Sequence, residues 1–106
     1  MPAKIQQIYI EQGADFSLQI DTEFDLTGYD LRGKIGKSHD ANRKFPFSFT
    51  VDDAAAGTFT LTLSNYYTSL LGDGLYQYDV EAFTPNDASV IRAVQGKAIV
   101  SGEVTT

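Results

Sequence analysis

The chain has 106 residues, a length that suits one domain with a modest core and predicts a single unit over 1–106. It carries 8 Lys and Arg against 14 Asp and Glu, a formal charge of −6. That balance argues against a general binder of nucleic acid or anionic membrane, which needs a positive face, and the absence of cysteine excludes disulfides and thiolate chemistry.

Seven Phe, six Tyr and frequent Thr fit a pleated, half-buried surface. The start MPAKIQQIYIEQG has no apolar core of a secretory signal, and no run approaches the roughly 20 apolar residues of a spanning helix. The chain therefore reads as soluble, and its ends read as those of a complete protein.

Residues 4–11 predict a first strand, with Ile8 and Ile10 alternating against Tyr9. Gln12-Gly13-Ala14 breaks it. Residues 15–21 alternate cleanly, with Phe16, Leu18 and Ile20 on one face and Ser17 and Gln19 on the other. Residues 22–28 form a polar turn with two apolar anchors, Phe24 and Leu26. Residues 29–37 resume the alternation through Leu31, Gly33 and Ile35, and Gly33 predicts a bulge or a close backbone approach.

Residues 38–44 are polar and unpatterned and read as a mobile loop. Residues 45–51 predict one strand with Phe45, Phe47 and Phe49 on one face, at an edge because Pro46 lacks an N–H. After a turn over 52–57, residues 58–63 alternate with Phe59, Leu61 and Leu63 inward. Residues 64–71 predict a helix of about two turns, capped by Ser64 or Asn65, with Leu70 and Leu71 returning to the core and Gly72 and Gly74 ending it.

Residues 75–84 predict a long strand. Tyr76, Tyr78, Val80 and Ala82 share its core face; Leu75, Gln77, Asp79, Glu81 and Phe83 share the other. Pro85-Asn86-Asp87 is a turn. Residues 90–95 and 97–104 return as the hairpin partner, bent at Gly96. Seven or eight short antiparallel strands with turn signals about every ten residues predict an all-β, immunoglobulin-like β-sandwich with one short helical connection. In that reading Leu26, Leu31 and Ile35 pin one sheet, and Phe59, Leu61, Leu63, Tyr78 and Val80 pack against it.

Reaction chemistry is sparse. The one histidine, His39, lies between Ser38 and Asp40, and adjacent side chains diverge, so they form no triad. One histidine without cysteine supplies no zinc set, and no catalytic, cofactor or metal residue is assigned. Asp21, Glu23 and Asp25 alternate through one turn and could hold calcium weakly, without a calcium-loop glycine pattern after them, and Asp52-Asp53 is a weaker candidate. Asp79 and Glu81 share a strand face and read as solvent-facing charges that oppose edge pairing. Lys34, Lys37, Arg43 and Lys44 make the one basic cluster, suited to an acidic partner surface or another copy of the chain. Tyr66 and Tyr67, on the short helix, are candidate interface anchors. The candidate interface is thus Lys37, His39, Arg43, Lys44, Tyr66 and Tyr67.

Three frames resemble small tailed-phage virion proteins: Asp25-Leu26-Thr27-Gly28-Tyr29 with the strand ending at Lys37-Ser38; Gly72-Asp73-Gly74-Leu75-Tyr76-Gln77-Tyr78-Asp79-Val80; and Val94-Gln95-Gly96 with Val100 and Glu103-Val104-Thr105. In these the chain is similar to the immunoglobulin-like N-terminal domain of phage baseplate upper proteins, which attaches receptor-binding parts to the tail. The chain ends where that domain ends. The resemblance implies a non-enzymatic virion structural protein, assembled in the host cytoplasm, at the tail or baseplate. It implies other virion proteins as partners and a homo-oligomer, without nucleic acid or membrane. The alternatives are a capsid decoration protein and a binding module for carbohydrate or a host receptor, for which Tyr66, Tyr67 and Phe83 are the candidate aromatics.

Overall fold

A computed structural model describes residues 3–37 and 44–102. The elements run β1 (Lys4–Ile5), β2 (Ile8–Glu11), β3 (Phe16–Asp21), β4 (Asp30–Gly36), β5 (Lys44–Pro46), β6 (Ser48–Asp53), β7 (Thr58–Leu63), α1 (Asn65–Thr68), β8 (Gly74–Phe83) and β9 (Val90–Ser101). The larger sheet has the order β1-β9-β8-β4-β5, with β2 also on β9; the smaller has the order β3-β7-β6. Two sheets joined this way form an immunoglobulin-like β-sandwich.

The alternating segments bury the faces expected of them. On β7, Phe59, Leu61 and Leu63 are buried and the threonines between them face out. On β8, Tyr76, Tyr78, Val80 and Ala82 are buried. These rows meet Ile20 of β3, Ile35 of β4, and Val94, Ala98 and Val100 of β9 in one core. Each large apolar side chain removed from water here contributes roughly 1.5–3 kcal/mol. At Gly33 an added Cβ would sit 2.5 Å from the Asp79 carbonyl oxygen, so the close backbone approach predicted there is present.

The segment 45–51 is not one strand. β5 pairs antiparallel with β4, Phe45 opposite Ile35, at the edge of the larger sheet, and β6 pairs with β7 in the smaller sheet. The chain changes sheets at Phe47, whose N–H donates to the Gly33 carbonyl at 3.0 Å and whose ring is buried. That ring stands edge-on to Tyr78 at 6.0 Å and to Phe49 at 6.4 Å; Phe49 in turn meets Phe59 at 5.8 Å. The crossing is fastened to both sheets.

The first strand is also divided, and it is parallel to β9 rather than antiparallel: Lys4 lies opposite Val94, and Ile8 opposite Ala98. It breaks at Gln6. The Gln6 N–H donates to the Gln95 carbonyl at 3.0 Å, and its own carbonyl accepts from the buried Tyr78 hydroxyl at 2.5 Å. Gly96 is what permits this, since a Cβ there would collide with the Gln6 carbonyl. β9 itself is not divided at Gly96. Its irregularity lies where Val80 pairs with Val94 but Glu81 with Arg92, which leaves Ala93 as an extra residue buried beside Val94.

Four further expectations change. The predicted two-turn helix is one turn, Asn65–Thr68; its first N–H is capped at 2.8 Å by the Asp15 carboxylate and not by Ser64. Leu71 is buried but Leu70 is exposed. Tyr78 and Val80 belong to the same sheet as Leu31 and Ile35 and do not pack against it from the other side. Asp79 and Glu81 lie on a central strand, so opposing edge pairing is not their role.

Phe47→Ala is expected to cost about 3–5 kcal/mol, since it empties a buried site shared by both sheets; denaturant unfolding measures this. Burial pushes the Tyr78 hydroxyl up from its ordinary value to about 12. Below pH 10 the group is neutral in both states. Between its unfolded value and about 12 the unfolded chain releases the proton and the folded chain keeps it, so stability falls as pH rises, by about 1.4 kcal/mol per unit. Tyr78→Phe is therefore expected to cost about 1 kcal/mol at neutral pH, where a hydrogen bond is lost. It should lose less than wild type through the alkaline window. Equal alkaline slopes for the two proteins in urea titrations would contradict this assignment.

Candidate functional site

The outer face of the larger sheet is set by the odd-numbered side chains of β8. Register extends them into rows across neighbouring strands. Tyr9 of β2 lies opposite Ile99 of β9, and Ile99 lies opposite Leu75 of β8. All three point outward, because Ile8, Ile10, Tyr76, Ala98 and Val100 beside them are buried. Tyr9 is 68% exposed and Leu75 51%, with half-buried Ile99 between them. Directly opposed side chains lie about 4.5–5.5 Å apart at Cβ, so the three form a continuous apolar strip. The strip sits at the end of the sandwich that carries α1, where Tyr66 and Leu70 are also exposed.

Away from this end the face turns polar. Gln77 pairs with Lys97, Asp79 with Lys34 and Gln95, and Glu81 with Arg32 and Arg92. Arg32 Nε donates to Glu81 Oε1 at 2.9 Å, and its guanidinium lies 4.4 Å above the Phe83 ring. The Glu81 carboxylate holds the Arg32 guanidinium above its ordinary value. Arg92 approaches Asp79 at 4.0 Å. A shallow cleft of about 270 Å³ opens beside these pairs, over Gly36, with Lys34 and Lys44 on its rim. The paired acids on β8 thus hold arginines across the sheet.

Of the six residues expected to form an interface, four lie among the described residues; His39 and Arg43 lie outside them, with most of the predicted loop. Lys37 places its ammonium 4.3 Å over the ring of Tyr76, a cation–π contact. Lys44 opens β5, opposite Gly36. Tyr67 is half-buried and packs at 5.6 Å on Phe45, next to Lys44. Tyr66 meets Tyr67 at 5.3 Å and is otherwise 67% exposed. The short helix is held against the turn before β3 by Thr68, whose hydroxyl donates to the Ala14 carbonyl at 2.8 Å. Lys37, Lys44, Tyr66 and Tyr67 therefore share one end of the sandwich without converging on a single point. Phe83, the remaining aromatic candidate, is half-buried beneath Arg32.

The Asp21–Asp25 turn uses its carboxylates on itself. Asp21 Oδ1 accepts from the Glu23 N–H and Asp25 Oδ1 from the Thr27 N–H, each at 2.9 Å. Hydrogen bonds from Thr27 hold the Asp25 carboxyl below the ordinary carboxylate range. Such turns satisfy the backbone locally. Among the described residues no three His, Cys, Asp or Glu groups are placed to share a metal ion.

The strip of Tyr9, Ile99 and Leu75 was not singled out from the sequence. Its signal is an apolar residue on the polar parity of a strand, present at Tyr9 and Leu75. Joining the two needs the parallel register of β2 on β9.

No family model matches the chain, and no curated protein does. The fold is similar to part of InlP from Listeria monocytogenes, with a TM-score of 0.55 and 16% identity over 92% of this chain. The match covers 26% of the InlP chain, so this protein spans about a quarter of that one. At this identity the likeness describes architecture and carries no activity or partner across.

Proposed function

We propose that this protein is a non-enzymatic structural component that works by surface contact, and that its setting is the virion of a tailed phage, at the tail or baseplate. The observation that carries the contact reading is the outward strip of Tyr9, Ile99 and Leu75. Apolar side chains grouped on one face lower their free energy by being covered, whereas scattered ones need no explanation. Tyr at the rim of such a patch suits a contact that is part apolar and part wet. The virion setting rests on the three sequence frames that resemble baseplate upper proteins.

A second reading, a carbohydrate-binding module, draws on the groove of about 480 Å³ beside the strip, lined by Ile5, Gln7, Gln77, Gln95 and Lys97. Amide side chains next to an aromatic ring suit the hydroxyls and apolar faces of a sugar. Gln7 Nε2, however, already donates to the Tyr9 hydroxyl at 2.8 Å.

Mass spectrometry of purified phage particles should find the protein in a copy number that is a multiple of the tail symmetry; particles lacking it would sink the virion reading. Within particles, the double variant Tyr9→Ser with Leu75→Ser is expected to keep the wild-type circular dichroism while its incorporation falls at least tenfold. Unchanged incorporation, together with loss of glycan binding on an array, would move the assignment to the second reading.

A further inference from the structure

Among the described residues the sandwich has four sheet edges, and three of them carry features that discourage a further strand. β5 is three residues long and contains Pro46. The β1–β2 edge is interrupted at Gln6 and Gln7. β6 carries Asp52 and Asp53 and an irregular register between Val51 and Asp53. The fourth edge, β3, pairs with β7 in unbroken register from Phe16 to Asp21, has no proline, and is uncharged until its last residue.

Among the described residues no strand pairs with the other side of β3. The Thr22 N–H donates to the Gly57 carbonyl, toward β7. Antiparallel backbones alternate by two, so Phe16, Leu18 and Ile20 bond toward β7, while the N–H and C=O groups of Asp15, Ser17 and Gln19 point away from it. Asp21 shares their direction, and its carbonyl is occupied by Lys4 Nζ at 2.8 Å. A groove of about 490 Å³ runs along this edge between β2 and β3, with Ile8, Tyr9, Ala14, Phe16 and Leu18 among its lining. Phe16 and Leu18 are only half-buried, whereas Ile20 further along the strand is 2% exposed.

We infer that β3 pairs antiparallel with β3 of a second copy of this chain, about a two-fold axis through Ser17. Self-complementarity of β3 favours a second copy in this one register. Ser17 lies opposite Ser17 of the second copy, Asp15 opposite its Gln19, and Phe16 opposite its Leu18, so apolar meets apolar and no like charges face each other. Centring the pair on Leu18 sets Asp15 against Asp21 twice, which is repulsive. Centring it on Gln19 requires the Asp21 carbonyl that Lys4 holds. Centring it on Phe16 draws in Gly13, whose φ of 83° is not extended. A shift by a single residue turns the apolar row to the wrong face. The product joins two three-stranded sheets into one continuous sheet with an isologous interface. It meets the Tyr9–Leu75 strip only at Tyr9, which also lines the groove, and Leu75 and Ile99 lie outside it.

Because the chain has no cysteine, Ser17→Cys introduces the only thiol. A hydrogen-bonded antiparallel pair sets its Cα atoms about 5.5 Å apart, within the range a disulfide spans. Under mild oxidation Ser17→Cys should form a covalent dimer at least tenfold faster than Thr50→Cys on β6 or Gln19→Cys on β3. A rate no higher than those two overturns the register. Ser17→Pro deletes an N–H that faces away from β7, so it should keep the β-type circular dichroism and abolish the concentration-dependent dimer seen by sedimentation equilibrium. A wild-type protein that stays monomeric at every concentration reached, or a dimer that survives Ser17→Pro, overturns the pairing. Leu75→Ser should leave this dimer intact, so failure here and failure of the outer-face reading are seen separately.

Discussion

The sandwich depends on the crossing of the chain from one sheet to the other at Phe47. Two β-sheets attract each other through unspecific apolar contact, which fixes neither their spacing nor their alignment. Here the aromatic rings supply both. Phe47 touches Tyr78 of the larger sheet and Phe49 of the smaller, and Phe49 reaches Phe59 near the start of β7. Two residues earlier, Phe45 meets Tyr67 and so positions the short helix. The two sheets and the helical connection are therefore registered against one another by five residues of continuous chain.

The same stretch explains what could and could not be read from the sequence. Alternation through Phe45, Phe47 and Phe49 identified the inward side chains, and all three do face the core. Inward direction is common to both sheets, so alternation passes through the crossing unchanged and conceals it. Pro46 gave the edge position, since a missing N–H is visible in the sequence. The parallel placement of β1 and β2 on β9 was not legible, because it depends on the contact of Gln6 with Gly96 and with Tyr78, the latter 72 residues away along the chain. A tyrosine on a core parity and a glycine inside a strand were both noticed; nothing local says that they share a partner. The outward strip is hidden for a related reason. Tyr9 and Leu75 were each seen to lie off the apolar parity, but only the register makes them neighbours.

Charge shows the gap between composition and surface most plainly. The net of −6 suggests an evenly acidic protein. Instead, the strands of the smaller sheet carry Asp21, Asp52 and Asp53 and no basic residue, while those of the larger sheet carry Lys4, Arg32, Lys34, Lys44, Arg92 and Lys97 against Glu11, Asp30, Asp79 and Glu81. The two outer faces of one small sandwich thus have different electrostatic character. On the larger face much of the positive charge is already matched within the sheet, at Arg32 with Glu81 and at Arg92 with Asp79. Exposed pairs of this kind add little to stability, about 0.2–1 kcal/mol each. Their stronger effect is to keep a mixed, well-hydrated centre between the apolar strip at one end and Phe83 with Val90 at the other.

That arrangement limits how the outer face can be used. A partner covering the whole face would have to desolvate the ion pairs, which is unfavourable unless it supplies matching groups. A partner approaching from the α1 end of this face meets Leu75, Ile99 and Tyr9 first and can leave the charged rows wet. The short helix matters here beyond its one turn of hydrogen bonds. With Thr68 and Asn65 anchored to the turn before β3, it holds Tyr66 and Leu70 outward on the same rigid end as the strip. Order in those anchors keeps the exposed apolar groups in fixed positions before any partner arrives, and a pre-organised surface loses less conformational entropy on contact than a mobile one.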